Sequence, residues 1–562
     1  MINPIQDAKN QLHEMILAAI GRAVAAGTLA SEPIPAFNVE IPADTRNGDF
    51  ATNAAMVSAR AFHQAPRKIA EAITGEMVLE GSYFDRVEIA GPGFINFFLS
   101  RAWFSQVIRT VEERGDSYGR TDFGGGKRVL VEFVSANPTG PMHIGNARGG
   151  AIGDGIASVL DWSGHQVSRE FYINDAGNQI NKFGLSLDCR YLQLYREGVE
   201  MPEDAYQGAD IVEHAKNFAA QYGDSYVNAS EADRRKALVE FALPKNIQGL
   251  KDDLLKYRIE YDNWFRESTL HANGEVQKVI ELLKEKGATY EAEGALWFKG
   301  EEYGADKDFV LVRSNGVPTY IVPDIAYHYN KLVTRGYDKA VNVLGADHHG
   351  YTMRLRATLA AFGVDVSRLD VVLMQMVRLV RDGEVIKASK RSGKAITLVT
   401  LLEEVPIDAA RFFFNMREAN SQFDFDLDLA VEESSQNPVY YVQYAHARIC
   451  SILRNLAAEN VTPKAAGDCR LELLTAPEES ELIRFLAALP GEIIEASKSY
   501  DPARITRYAV DLATYFHKFY NACRVKCGED ELMYARLALC IAVKTALRNV
   551  LSLLKITAPE SM

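Results

Sequence analysis

The stretch VLVEFVSANPTGPMHIGNARGGAIGDGIASVLDWSG, Val129–Gly164, decides the fold. It opens on a short apolar run, Val129 to Phe133, that reads as a buried strand. A turn built on Asn137, Pro138, Thr139, Gly140 and Pro141 follows. Beyond it, a helical segment carries seven small residues in eleven positions: Gly145, Ala147, Gly149, Gly150, Ala151, Gly153 and Gly155. A glycine inside a helix costs about 1 kcal/mol against alanine, so helix formation alone does not select this composition. It suits a backbone lying close against a sheet and close to a ligand. The first amide hydrogens of such a helix are unpaired and attract anions, and His143 stands at that mouth. The stretch predicts a nucleotide phosphate site. A plain strand-to-helix turn and a solvated capping histidine are the competing readings.

Outward from this stretch, Gln166 to Ile173 reads as a second strand, closing with Asn174 and Asp175. Strand, helix, strand in this order implies a right-handed parallel crossover, with ligands at the carboxyl ends of the strands. That groups Glu132 to Asn137, His143 and Tyr172 to Asp175 around one crevice. From about 182 to 293 the chain reads as an insertion of charged helices, with the aromatics of YDNWFRES, Tyr261–Ser268, as a packing cluster. The sheet pattern returns at Ala295. ALWF and DFVLVRSNG read as strands, as does the apolar run ending at Pro323-Asp324. Val341 to Gly345 leads into GADHHG, and Val371 to Arg381 into a basic loop. From about Pro406 the pattern is helical to the end, which suits an all-α bundle. Residues 1 to about 115 read as a separate α+β unit, with a helix from Ile5 to Ala26 and two strands around Gly91-Pro92-Gly93. Gly124 to Lys127 lacks phosphate-loop spacing and reads as a linker.

At 562 residues the chain holds several domains. Six cysteines without a CxxC pair indicate reduced thiols in a cytoplasmic protein, and the Cys523/Cys527 spacing alone makes a poor zinc site. No signal peptide and no apolar run of membrane-spanning length stand out. A net charge of −13 excludes an indiscriminate nucleic-acid binder. Local basic patches remain, at Arg378–Lys394 (net +4) and at 501–562 (net +3).

The sequence HIGN, within PTGPMHIGNARG, resembles the HIGH signature of class I aminoacyl-tRNA synthetases, with Asn146 in place of the second histidine. KASKRSG resembles their KMSKS signature, with Lys387, Ser389 and Lys390 in register and Ala388 and Arg391 departing from it. VEFVSANPTGP looks specifically like the arginyl-tRNA synthetases, and the resemblance spans nearly the whole chain.

The resemblance implies an α/β fold, a Rossmann-like parallel-sheet catalytic core carrying an insertion. An N-terminal α+β domain and a C-terminal all-α helical bundle would flank it. The division would be 1–115 against the tRNA elbow, 116–181 as first half of the core and 182–293 as connective insertion. Residues 294–405 would form the second half with the KMSKS-like loop, and 406–562 would bind the anticodon. The activity implied is activation of L-arginine by ATP, then transfer to the 3′-terminal adenosine of arginine tRNA. His143, Lys390 and Lys387 would be catalytic. The motif Ala136, Asn137, Pro138, Thr139, Gly140, Pro141, Met142, His143, Ile144, Gly145 and Asn146 would frame ATP, with Gly345, Asp347, His349 and Ser389. His348 is an alternative to His349.

Arginine needs carboxylates in fork geometry. Asp324 and Glu132 are the candidates, helped by Tyr320, Asn137 and Gln375, with Asn137 or Asp175 near the substrate backbone. Tyr441, Tyr444 and the terminal Met562 would meet the anticodon loop. Mg would offset phosphate charge, no structural zinc is expected, and a monomer is the expected working unit. The resemblance also implies that activation requires tRNA. A different class I synthetase, a small nucleotidyltransferase of the same superfamily and a catalytically silent RNA-binding relative are the alternatives. The arginine-type segments, the helical bundle and the presence of His143 and Lys390 speak against them in turn.

Overall fold

The computed structural model describes residues 3–203, 205–346, 349–386 and 396–562, apart from the side chains of Thr45 and His349. Asp347, His348, Lys387, Ser389, Lys390, Arg391 and Lys394 lie outside the described residues, so the KMSKS-like expectations are not placed.

A five-stranded, wholly parallel sheet forms the core. Its strands are β1 (Arg128–Glu132), β2 (Gln166–Ile173), β3 (Asn263–Arg266), β4 (Lys339–Gly345) and β5 (Leu369–Met374), in the order β5-β4-β1-β2-β3. Helix α1 (Ile144–Trp162) joins β1 to β2. Its composition is explained by contact. A Cβ added at Gly153 would stand 2.2 Å from the Phe133 ring, and one at Gly150 2.8 Å from Ile259. Phe133 and Ile259 are both buried, so any larger residue would push the helix off the sheet.

After β2, helices α2 (Gly177–Leu192), α3 (Ala209–Tyr222) and α4 (Glu231–Lys256) enclose a small core of their own around Phe183, Tyr191 and Phe218. The chain then returns as β3, so the expected insertion lends an edge strand to the sheet. Its aromatics pack as anticipated: Tyr261 stacks on Phe133 at 4.6 Å and Trp264 on Phe171 at 4.5 Å.

Three other expectations need correction. The strands at Ala295–Phe298 and Phe309–Val312 form a separate antiparallel sheet with Thr289–Ala292, outside the parallel core. The run expected as a strand ending at Asp324 is helix α5 (Ile321–Tyr329). A short apolar run does not distinguish strand from helix, and Pro323 is tolerated because a first-turn N–H has no intrahelical partner. The single strand expected over 371–381 is broken at Gln375-Met376. Its second half, Val377–Arg381, pairs with Glu384–Ile386 and with Phe423–Asp426, a strand inside the stretch expected to be wholly helical. The alternating FDFD of that strand is the period-2 signal the sequence reading overlooked.

Helix α6 (His349–Ala361) lies between β4 and β5 in the chain. The C-terminal bundle comprises α7 (Pro438–Ala458), α8 (Pro477–Ser499), α9 (Ala503–Ala522) and α10 (Asp530–Leu553). The N-terminal unit joins helix Pro4–Ala25 to a four-stranded antiparallel sheet containing the expected hairpin, Phe84–Ala90 and Phe94–Leu99. It docks on the bundle through Arg484 to Asp49 (2.7 Å) and Arg101 to the Leu474 carbonyl (2.9 Å). No helix among the described residues is long and apolar enough to cross a membrane.

Candidate active site

A cavity of about 700 Å³ opens at the carboxyl ends of β1, β4 and β5, where a parallel sheet presents its ligands. Its lining includes Glu132, Ser135, His143, Gly145, Asn146, Asp324, Tyr351, Gly345 and Gln375. Residues expected from four separated segments therefore meet at one place.

His143 is the N-cap of α1. Its Nδ1 accepts from the Gly145 N–H (3.1 Å), and its own N–H donates to Asn146 Oδ1 (3.0 Å), a reciprocal capping box. With Nδ1 accepting, the ring proton sits on Nε2, assigned from this network. The protein packed beneath the ring lowers its pKa from the usual histidine value. At pH 7 His143 is thus a neutral N–H donor, and the positive end of α1 supplies the charge beside it. Asn146, standing where the resemblance has histidine, is occupied as the cap's reciprocal partner.

The chain between β1 and the motif is strained. Val134 (φ +68°) and Ser135 (φ +40°) are consecutive left-handed residues, unusual for a β-branched side chain. The turn aims Ser135 Oγ at Glu132 Oε1 (3.0 Å) and lets it accept from the Tyr172 N–H (3.1 Å). Pro138 is buried, its carbonyl accepting from Asn246 of α4 at 3.0 Å. On the far side, Leu398 N–H donates to the Met142 carbonyl (2.9 Å) and Thr397 bridges to His143. The chain following the 387–395 segment is thereby anchored at the mouth of α1.

The wall facing His143 is acidic. Asp324, in the first turn of α5, accepts from the Tyr351 hydroxyl. Burial and the nearby Glu267 and Glu132 carboxylates push its carboxyl up to about 8. His328, one turn on, is buried with its pKa lowered to about 3 by desolvation. Its Nδ1–H donates to the Asp324 carbonyl (2.7 Å), and its Nε2 accepts from Asn342 (2.7 Å). Glu132 is already engaged by Lys331 Nζ at 2.5 Å. Arg148, fully buried on α1, donates to the carbonyls of Gln375 (2.7 Å), Glu418 (3.1 Å) and Ser421 (2.9 Å). It thus fixes the break between β5 and the next strand, and burial lowers its pKa to about 10.

Several expected residues fall elsewhere. Tyr320 is 65% exposed and Asn137 is exposed, and both stand outside the cavity lining, as do Pro138, Thr139 and Gly140. Asp175 is committed to capping the helix Glu267–Ala272, accepting from the N–H and hydroxyl of Ser268 (both 2.8 Å). Sequence reasoning missed Tyr351, Glu267, His328, Asn342 and Lys331. The one available signal was the polar trio His328, Asn330 and Lys331 embedded in an apolar run.

In the C-terminal bundle, Tyr444, Arg448, Tyr520 and Met562 line a second cavity of about 310 Å³. Arg448 lies between the two tyrosine rings, 4.9 Å from each. Tyr441 instead packs on His517, with ring centroids 5.0 Å apart, outside this lining.

Comparison with known proteins accounts for the chain from near one end to the other. Residues 10–99 match the arginyl tRNA synthetase N terminal domain, 116–450 the catalytic domain of class I (R) tRNA synthetases, and 442–562 the DALR anticodon binding domain. An arginine–tRNA ligase of Caldanaerobacter subterraneus is 56% identical over 562 residues, covering all of both chains. One of Acetivibrio thermocellus is 51% identical over 564 residues, again covering both completely. Among solved structures, a putative arginyl tRNA synthetase of Campylobacter jejuni superposes with a TM-score of 0.75 at 32% identity, over 83% of this chain and all of that one. The arginyl-tRNA synthetase of Thermus thermophilus shares the fold, with a TM-score of 0.72 at 23% identity, over 99% of this chain and all of that one. By sequence along its whole length and by architecture, this chain belongs to the class I arginyl-tRNA synthetase family.

Proposed function

We infer that this protein ligates L-arginine to its tRNA, using ATP and releasing AMP and pyrophosphate. The observation that carries this reading is the pairing, across one cavity, of the capped α1 N-terminus with an acidic wall short of one cation. The arginine carboxylate attacks the α-phosphate of ATP. No protein nucleophile is needed, and catalysis rests on positioning and on donors aimed at the developing charge. His143 Nε2–H and the first amides of α1 are such donors. Lys390 and Lys387, with Ser389, add cationic and hydroxyl contacts from the KMSKS-like segment. Gly345 permits close approach of the ribose, with Asp347 and His349 following it. Asp324 receives the guanidinium, flanked by Glu132 and Gln375, while Tyr320 and Asn137 stand outside the cavity lining as later contacts. Mg offsets the charge of the triphosphate.

The division of labour follows the chain: 1–115 against the tRNA elbow, 116–181 and 294–405 around ATP and arginine, and 406–562 at the anticodon. Residues 182–293 connect the halves, apart from the strand they lend the sheet. The working unit is one chain in the cytoplasm, and activation depends on bound tRNA. Aminoacylation of total tRNA with each of the twenty amino acids in turn tests the function. Arginine alone should be transferred, and equal transfer of another amino acid would refute the assignment.

The bundle cavity is the place for a splayed anticodon-loop base, stacked beside Tyr444 and the Arg448 plane next to Met562. One stacked base is worth roughly 1–3 kcal/mol. Tyr444→Ala should therefore raise the tRNA KM about tenfold while leaving the arginine KM unchanged. Unaltered tRNA KM would remove this cavity from recognition.

A further inference from the structure

Lys331 lies in the π-helical turn Asn330–Thr334 that continues α5, and it has no exposed surface. Its Nζ is 2.5 Å from Glu132 Oε2, 3.1 Å from Asn342 Oδ1 and 3.9 Å above the Tyr327 ring. A π turn carries one more residue than an α turn and often marks a functional site. A fully buried ammonium is costly unless its charge is met. Among the described residues the carboxylates lining the cavity are Glu132 and Asp324, and Lys331 pairs with the first; Glu267, outside the lining, lies 3.5 Å from His271. Among the described residues no cation lies within ion-pair distance of Asp324, whose carboxyl is held by Tyr351 instead. Lys331 thus cancels Glu132 and leaves the wall one cation short at Asp324.

We propose that Lys331 is a positioning residue that sets the charge of this wall: it ties up Glu132, so that one guanidinium completes the balance at Asp324 and displaces a proton from that carboxyl. This rests on reading the cavity as the arginine pocket. Only the Asp324 O–H bond breaks; the proton leaves to solvent and the ligand keeps its charge.

The groups facing Asp324 fix the sign. Glu132 of β1 and Glu267, at the head of its helix, raise its pKa together with burial, and Lys331 lowers it. Among the described residues the hydroxyls of Tyr351 and Tyr172 and the neutral His328 also stand near it. An acid shifted up to about 8 is protonated at pH 7. Arginine affinity should therefore fall up to tenfold for each pH unit below that value and level off above it.

Calorimetric titration of L-arginine into the full chain, at several pH values and in buffers of different ionisation enthalpy, reads both quantities. At pH 7 binding should release about one proton. Lys331→Met should move the midpoint of the affinity–pH curve upward, and Glu132→Gln should move it downward. The double variant should return it close to wild type. A lysine serving only the fold would lower thermal stability and leave the midpoint in place. That result, or no proton release, overturns the proposal. If Lys331→Met does not fold, the shift in Glu132→Gln decides alone. Undiminished arginine binding by Asp324→Asn would instead overturn the pocket reading beneath it.

Discussion

Asp324→Asn is expected to lower kcat/KM for arginine-dependent activation by a factor of roughly 10² to several thousand while leaving the fold intact. The amide is isosteric with the carboxyl, and Asp324 without ligand already favours its neutral form, its pKa being raised to about 8. Folding of the ligand-free protein therefore loses little, and the melting temperature should stay within about 2 °C. Binding is affected differently. A guanidinium entering the cavity loses hydration and recovers it only if a carboxylate meets it. Removing one member of a desolvated charge pair costs about 3–5 kcal/mol, a factor of roughly 10² to several thousand in kcat/KM for arginine. The loss should appear mainly in the arginine KM. A variant with near-normal arginine KM would move the side-chain pocket elsewhere, since among the described residues the other carboxyl of the lining, Glu132, is held by Lys331 at 2.5 Å.

The second large effect is at His143. Its Nδ1 is committed to the helix cap, which leaves Nε2–H as the donor to phosphate oxygen. One donor aimed at charge that develops in the transition state is worth about 10²–10³ in kcat. His143→Ala also loses the cap, at about 1 kcal/mol of stability. His143→Asn keeps a capping oxygen without the imidazole, so it separates the two roles. Both variants should lose kcat by two to three decades with arginine KM within about threefold of wild type, and only the alanine variant should melt earlier. If asparagine restored kcat, His143 would be a cap and nothing more.

How much of the fold and the site is legible in the sequence depends on the range of the interactions. The strand–turn–helix unit was legible because a local constraint wrote it: only small residues let α1 lie on Phe133, so the glycines announced the close contact. The second strand appears at Gln166–Ile173 as read, its β-branched and aromatic Val167, Phe171, Tyr172 and Ile173 outweighing the polar Ser168, Arg169 and Glu170 between them. Ile321–Tyr329 was misread because an apolar run of that length satisfies both periods, and a proline in its first turn looks like a strand terminator. Asp324 still reaches the crevice, because its helix begins there where a strand was expected to end. The break at Gln375-Met376 is imposed by Arg148, 227 residues away, and Lys331 meets Glu132 across 199 residues. No local pattern encodes such pairings. Tyr320 and Asn137 illustrate the converse, since motif membership does not say which way a residue faces.

The central claim is that the acidic wall reads the charge of a guanidinium and not merely its shape. L-Citrulline replaces that group by a neutral ureido group of nearly the same size. Competition of L-citrulline with L-arginine in tRNA-dependent aminoacylation, at pH 8 where Asp324 is half ionised, measures the distinction directly. The account predicts an inhibition constant for citrulline at least about 100-fold above the arginine KM. Equal affinity for the two would contradict it.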